Sequence, residues 1–301
     1  MTNNTPAIEI RNLVRRYGHT DAVDGLDLRI PAGRCYGLFG RNGAGKTTTL
    51  KCLLNLIRPT SGEIRLFGLD PARDEVAVKS RIAYVPDVVA FYPWMTVEDS
   101  LAYFASFRRR WNKDTEASLL GRFRLDRRQK TSHLSKGQRT QLALICAICP
   151  EPELLVLDEP TSGLDPIVRR EFIQTVIGAY QDGDPGRRTV LVSTHLISEF
   201  EGLIEEFTII ERGRNVLTLE ADTARARYQK VHARFATDPG RLELPGTRIL
   251  RRTGREIDVI VTGNSGQVVE LLRRRAPEAL AVEALTLEEI FVSTLQSEEA
   301  A

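Results

Sequence analysis

Three short runs in the chain are apolar at nearly every position: CYGLF (35–39), LLVLD (154–158) and TVLVST (189–194). A strand apolar on both faces has no solvent side, and such strands belong in the middle of a parallel sheet. Elsewhere the pattern alternates. Ile8, Ile10 and Leu13, then Leu26, Leu28 and Ile30, are spaced like the inward residues of half-buried strands. Pro31, Ala32 and Gly33 turn the chain into CYGLF, and EIRLFG follows the turn signal PTSG as a further strand. Residues 96–149 read mainly as helix, opened by Thr96 and Asp99 as a capping box with a shortened acid. Asp165 and Pro166 supply an N-cap and a first-turn proline for the helix after LLVLDEP. FTIIERGRNVLTLE predicts a hairpin turning at Arg212-Gly213. The whole is an α/β pattern with a helical insertion between Val85 and Leu154.

The composition shifts near Ala221. Strand-like VHARFAT, RILRR and EIDVIVT follow, the last two joined at Thr253-Gly254. A helix SGQVVELLRRR, with Asn264 and Gln267 placed as a capping box, precedes a short strand near LAVEAL. A final helix LEEIFVSTL is capped by Thr286 with Glu289. The expected division is a first domain over 1–220, with a helical subdomain over about 88–150, and a small α+β domain over 221–301.

With 301 residues and a net charge of +2, the chain has room for two domains and no charge excess to draw it to nucleic acid, so no nucleic-acid partner is expected. The start, MTNNTPAIEI, lacks the basic-then-apolar pattern of a signal peptide, and no window approaches the roughly 18 apolar residues of a membrane span. The expectation is a soluble chain whose membrane role, if any, needs a separate partner. Of the four cysteines, Cys146 and Cys149 form a C-x-x-C inside the apolar run QLALICAIC. Without a second ligand pair this spacing reads as two small residues on a buried helix rather than a zinc or redox site.

The loop GRNGAGKTTTL (40–50) joins the CYGLF strand to a helix. Gly40, Gly43, Gly45, Lys46 and Thr47 fill the pattern G-x-x-x-x-G-K-S/T, in which glycines let successive N–H groups point at an anion. The following helix adds the positive end of its dipole. Lys46 is expected to reach the β- and γ-phosphates of a nucleotide, Thr47 to ligate Mg²⁺, and Thr48 to donate to a phosphate nearer the sugar. The strand LLVLDEP ends in two acids. Asp158 is placed to hold Mg²⁺ through its water shell, and Glu159 to orient and deprotonate an attacking water.

LSKGQ (134–138) opens another helix, and alone would be an ordinary N-cap by Ser135. Together with the rest, residues 7–219 resemble the ATP-binding subunits of ABC transporters. Tyr17 in RRYG matches the aromatic that stacks on adenine. GRNGAGKTT matches the Walker A loop (Asn42 and Ala44 included), LSKGQ the signature motif and LLVLDEP the Walker B strand. SGLD, ending at Asp165, matches the D-loop, and His195 in STHL the switch histidine. The resemblance implies a P-loop NTPase cassette with a RecA-like core, an antiparallel β subdomain and a helical insertion. It implies ATP and Mg²⁺ as ligands and head-to-tail dimerisation, with itself or a relative. Ser135, Gly137 and Gln138 of one chain would grip the γ-phosphate held by Lys46 of the other. It also implies an integral-membrane permease as partner, at the cytoplasmic face of the membrane.

Two positions depart from the family pattern. Lys136 stands where glycine is usual in the signature, and Asp87, in RIAYVPDVVAFYPWMTVED, stands where glutamine is expected to touch the metal and relay its state to the permease. The basic runs RRRW (108–111) and RFRLDRRQK (122–130) read as a solvated helical face, or else as a contact surface for a permease loop or lipid headgroups. LEEIF and YPWMT look most like the drug, antibiotic and small-solute export branch. The alternative is a soluble ABC ATPase acting on ribosomes or DNA. A single cassette and a short interval without heptads between Walker A and signature argue against it, and a P-loop GTPase or kinase leaves LSKGQ and His195 unexplained.

Overall fold

A computed structural model describes residues 5–181, 188–240, 242, 244, 247–263 and 265–298. The chain divides into two compact units, Met1–Thr218 and Leu219–Ala301.

The first unit opens with β1 (Ile8–Tyr17), β2 (Thr20–Ile30), β3 (Cys35–Phe39), α1 (Lys46–Leu53), β4 (Ser61–Leu66), α2 (Glu75–Lys79) and β5 (Ile82–Val85). The helical insertion is α3 (Val97–Ser106), α4 (Lys113–Phe123) and α5 (Lys136–Ile148). Then come β6 (Leu154–Asp158), α6 (Pro166–Gln181), β7 (Thr189–Thr194), α7 (Ile197–Phe200), β8 (Glu206–Glu211) and β9 (Arg214–Glu220), whose last two residues already belong to the second unit.

The three apolar runs become β3, β6 and β7, buried along their whole length. They lie inside a six-stranded sheet ordered β5-β6-β7-β3-β8-β9, in which β5 through β8 pair in parallel. The register sets Asp158 opposite Ser193 and Phe39 opposite Thr194. The carboxyl ends of β3, β6 and β7 are therefore level, and the glycine loop, Glu159 and His195 leave from the same edge. That edge is where open α/β sheets place their ligands.

The alternating strands form a separate antiparallel sheet, β2-β1-β4. Its inward residues Ile8, Leu13 and Leu26 share one core with Leu50 and Leu53 of α1 and Leu38 of β3. Each such side chain, fully buried, contributes about 1.5–3 kcal/mol relative to exposure. The loop and helix that begin at Gly40 are thus held between two sheets.

In the insertion, Thr96 and Asp99 form the expected capping box at α3, and Asp165 caps α6 through the N–H groups of Ile167 and Val168. The basic runs are only partly solvated. Arg108 donates to the carbonyls of Lys79 and Ile82, while Arg127 pairs with the buried Glu116 at 3.0 Å. Arg108 thus ties the end of α3 back to α2 and β5, and Arg127 joins the stretch after α4 to α4 itself. Cys146 and Cys149 are free and buried, and burial raises both thiol pKa values, as the reading of a packed helix requires.

The second unit contains α8 (Ala221–Arg227), β10 (Tyr228–Arg234), β11 (Thr247–Thr253), β12 (Glu256–Thr262), α9 (Ser265–Arg273), β13 (Ala279–Ala284) and α10 (Leu287–Glu298). Its antiparallel sheet runs β11-β12-β10-β13. Val231, Val259 and Val261 pack with Val268 and Leu272 of α9. Thr286 and Glu289 cap α10 reciprocally. The β11–β12 turn falls at Gly254 and Arg255, one residue later than the sequence suggests, because Thr253 still pairs with Glu256. The expected box at Asn264 lies outside the described residues. Among those residues no helix is long and apolar enough to cross a membrane.

Candidate functional site

The loop after β3 is shaped by its glycines. Gly45 has φ +104°, and a Cβ there would stand 2.4 Å from the Ala22 carbonyl oxygen of β2. Gly43 also has positive φ (+84°) but meets nothing, so its side of the loop faces outward. The hairpin turn between β8 and β9 braces the loop from behind, where the Gly213 N–H donates to the Ala44 carbonyl at 2.9 Å. Gly40 and Ala44 are buried, Asn42 exposed, and Thr47 and Thr48 half-buried. Helix α1 starts at Lys46 with no side-chain cap and no acid in its first turn. Its first N–H groups, which no helical carbonyl can serve, are left for an anion.

Lys46 is 5 % exposed and its ammonium lies 2.8 Å from the Gly40 carbonyl and 2.9 Å from Oε1 of Glu159, itself 10 % exposed. The Glu159 oxygen accepts no well-directed hydrogen bond there, so the contact is one of charge. The other oxygen, Oε2, lies 2.8 Å from Nδ1 of His195. A carboxylate only accepts, so this contact selects the Nδ1–H form of the imidazole. Glu159 has φ +45°, a left-handed conformation that costs about 1–3 kcal/mol in a non-glycine residue. It is held there by its own N–H donating to the Ser193 carbonyl at 2.8 Å.

Asp158 is fully buried and accepts from the hydroxyls of Thr47 (3.2 Å) and Ser193 (3.0 Å). The Tyr84 hydroxyl lies 3.4 Å from its second oxygen. Burial pushes the Asp158 carboxyl above its ordinary range, the two hydroxyls pull it back in part, and the charges of Glu159 and Asp87 push it up again. Burial and then the Asp158 charge raise the Tyr84 phenol as well. Asp87 itself is exposed, just beyond β5. The Thr47 hydroxyl and the Asp158 carboxylate are hard oxygen donors of the kind Mg²⁺ takes. Among the described residues no cluster of three or more acids, histidines or cysteines could cage a metal. That fits an ion which keeps waters and phosphate oxygens as its other ligands.

Lys46, Thr47, Asp158, Glu159 and His195 thus form one contact network. The LSKGQ residues bond elsewhere. Ser135 and Gln138 form a capping box at the start of α5, with bonds of 3.1 and 2.9 Å, and Gly137 abuts Val168 of α6. Tyr17 is half-exposed at the end of β1, with the Arg15 guanidinium 4.5 Å from its ring centre. Sequence reasoning missed Tyr84 and Ser193. For Ser193 the signal was a hydroxyl residue closing an otherwise apolar strand; for Tyr84 there was none before the β5–β6 pairing was known.

Residues 23–162 match the ABC transporter family. The chain is 33% identical over 240 residues to the bacitracin transport ATP-binding protein BcrA of Enterococcus faecalis, covering 78% of this chain and 76% of that protein. It is 37% identical over 215 residues to the Nod factor export ATP-binding protein I of Burkholderia orbicola (strain AU 1054), covering 69% of each. It is likewise 37% identical over 220 residues to the daunorubicin/doxorubicin resistance ATP-binding protein DrrA of Streptomyces peucetius, covering 71% of this chain and 65% of that one. Among solved structures, an ATP-binding subunit of an ABC transporter superposes with TM-score 0.66 at 28% identity, over 73% of this chain and 92% of that one. The dimeric cassette MJ0796 bound to ADP and Pi shares the fold, with TM-score 0.62 at 22% identity over 71% and 98%. An α/β cassette with a glycine loop, paired acids and a histidine at one sheet edge, together with these relatives, makes the chain a member of the ABC transporter family: an ATP-binding subunit and an ATPase.

Proposed function

We propose that the chain powers solute export through a separate permease, hydrolysing ATP in a head-to-tail dimer at the cytoplasmic face of the membrane. The observation that carries the catalytic part is the Glu159 carboxylate suspended between Lys46 and His195. In this arrangement the base is neutralised by the same ammonium that a γ-phosphate would claim. Phosphate binding draws Lys46 away and leaves Glu159 to take a proton from water, with the His195 N–H holding its other oxygen. Thr47 and Asp158 would hold Mg²⁺, which offsets phosphate charge when bound. The glycine loop and the N–H groups of Lys46, Thr47 and Thr48 wrap the phosphates, and Tyr17 stacks on the base.

Ser135 and Gln138 bond to each other at the start of α5 and Gly137 abuts Val168; the match of LSKGQ and SGLD to the signature and D-loop is what supports service of these residues and Asp165 to a partner's nucleotide. Names among the relatives support export: transport of bacitracin, export of Nod factor and resistance to daunorubicin. An exposed aromatic cluster, built from the FYPWMT segment that follows Asp87 in the chain and from α3, supports permease docking. Trp94 (66 % exposed) lies 4.9 Å from Tyr92 between ring centres with the rings tilted by 32°, and Tyr103 meets Tyr92 and Phe107 edge to face.

Glu159→Gln tests the reading. ATP binding is expected to persist, turnover to fall about 10²–10⁴-fold, and Mg-ATP to trap a dimer on sizing chromatography. A variant that hydrolyses at the parental rate, or stays monomeric with ATP, overturns it.

A further inference from the structure

Lys136, where the family has glycine, is exposed at the start of α5, yet its ammonium is not left to water alone. Its ammonium reaches across to the carbonyl of Ser162, 2.7 Å away, in the turn that follows Glu159. The approach is close enough that a Cβ on Gly163, at φ +69°, would stand 2.9 Å from the nitrogen. A second cation takes the other side of the same turn. Arg169 of α6 donates to the Leu164 carbonyl at 3.2 Å and pairs with Glu199 of α7 at 2.6 Å, four residues after His195. The turn is bonded directly to the site: the Ser162 N–H donates to the Glu159 carbonyl and the Leu164 N–H to that of Thr161, both at 3.1 Å. Residues 162–164 therefore hang between two cations, and their near end is the backbone of Glu159, already in a left-handed conformation.

We propose that Lys136 is a positioning residue: it latches the 162–164 turn to the start of α5 and, through that turn, sets the placement of the Glu159 carboxylate. A charge-assisted bond to a carbonyl is stronger than a neutral one, and glycine at this position supplies none. The latch also makes the Ser135–Gln138 segment and the turn ending at Asp165 one surface, so a partner that presses on either moves both. The catalytic half of the inference rests on the reading of Glu159 as the base.

The test uses the full-length chain and three measurements on Lys136→Met and Lys136→Arg. Hydrogen exchange without nucleotide reads the Ser162 and Leu164 amides, a fluorescent ATP analogue reads affinity, and steady-state hydrolysis separates kcat from KM. Lys136→Met is expected to speed exchange at those amides about tenfold, leave affinity within about twofold and lower kcat about fivefold, with Lys136→Arg restoring exchange and kcat. Unchanged exchange overturns the latch. Faster exchange with parental kcat, or a loss that arginine does not rescue, overturns the positioning role. Glu159→Gln separates the two readings: hydrolysis abolished there while Lys136→Met is parental places the failure in the latch, and hydrolysis persisting there places it in the base.

Discussion

Replacing Asp158 by asparagine is expected to stabilise the nucleotide-free protein while removing its activity. The carboxylate is fully buried and its hydrogen bonds come from the neutral hydroxyls of Thr47 and Ser193. Its pKa is raised, so the ionised form is worse off folded than unfolded. An asparagine carbonyl keeps both hydroxyls satisfied and carries no charge. Stabilising changes at such strained sites run to about 0.5–2 kcal/mol. At about 2–4 °C per kcal/mol for a unit of this size, the melting point should rise by about 1–8 °C near neutrality. The sign of the pH dependence follows from linkage. The folded state holds the proton more tightly, so the parent loses stability relative to Asp158→Asn as pH rises from the ordinary carboxyl range of an unfolded chain through the raised folded value. Below that window the two chains should melt together; above it the gap is constant. Circular dichroism melts without nucleotide, followed from mildly acidic to neutral pH, measure this. A variant that melts at or below the parent at pH 7 would refute the argument that the buried charge is a cost kept for function.

Three further outcomes are expected. His195→Ala should lower kcat about 10²-fold while ATP affinity stays within about threefold, since the ring contacts Glu159 rather than the loop; equal losses in both would mark a structural histidine. Asp87→Ala should leave the isolated subunit's hydrolysis within about threefold but sharply reduce transport in proteoliposomes with the permease, because Asp87 is exposed and reaches Asp158 only through its charge; full transport would remove it from coupling. A chain ending at Glu220 should remain soluble and bind ATP, since the core of the first unit is complete within it; an insoluble or nucleotide-free product would contradict that boundary.

The central strands were legible because burial on both faces leaves no polar residue in CYGLF or LLVLD before the terminal acid. The caps at Thr96, Asp165 and Thr286 were legible because a cap is local chemistry within four residues. Strand β5 was not: IAYV is short, lies at the sheet edge and has only β6 to define it. Helices α2 and α8 were missed for a similar reason, since EVAVK and ADTARAR are too short to show a period. Within the site, the glycine loop and the paired acids are sequence patterns. The Lys46–Glu159 pair, the Ser193 and Tyr84 bonds to Asp158 and the Lys136 latch join residues 26 to 113 positions apart, and only the strand register and loop packing bring them into contact. Arg108 and Arg127 make the same point on the surface, where a run of like charges conceals two structural anchors.

In the proposed dimer each ATP lies between the glycine loop of one chain and the Ser135 segment of another. Oxidative cross-linking with one added cysteine per chain tests this arrangement, because all four native cysteines are buried. Asn42→Cys and Ser135→Cys, each combined with Glu159→Gln, are mixed and oxidised with and without Mg-ATP. A linked dimer is expected to form only in the mixture and only with ATP, each variant alone staying unlinked. Linkage within either variant alone, or none in the mixture despite bound ATP, would contradict it.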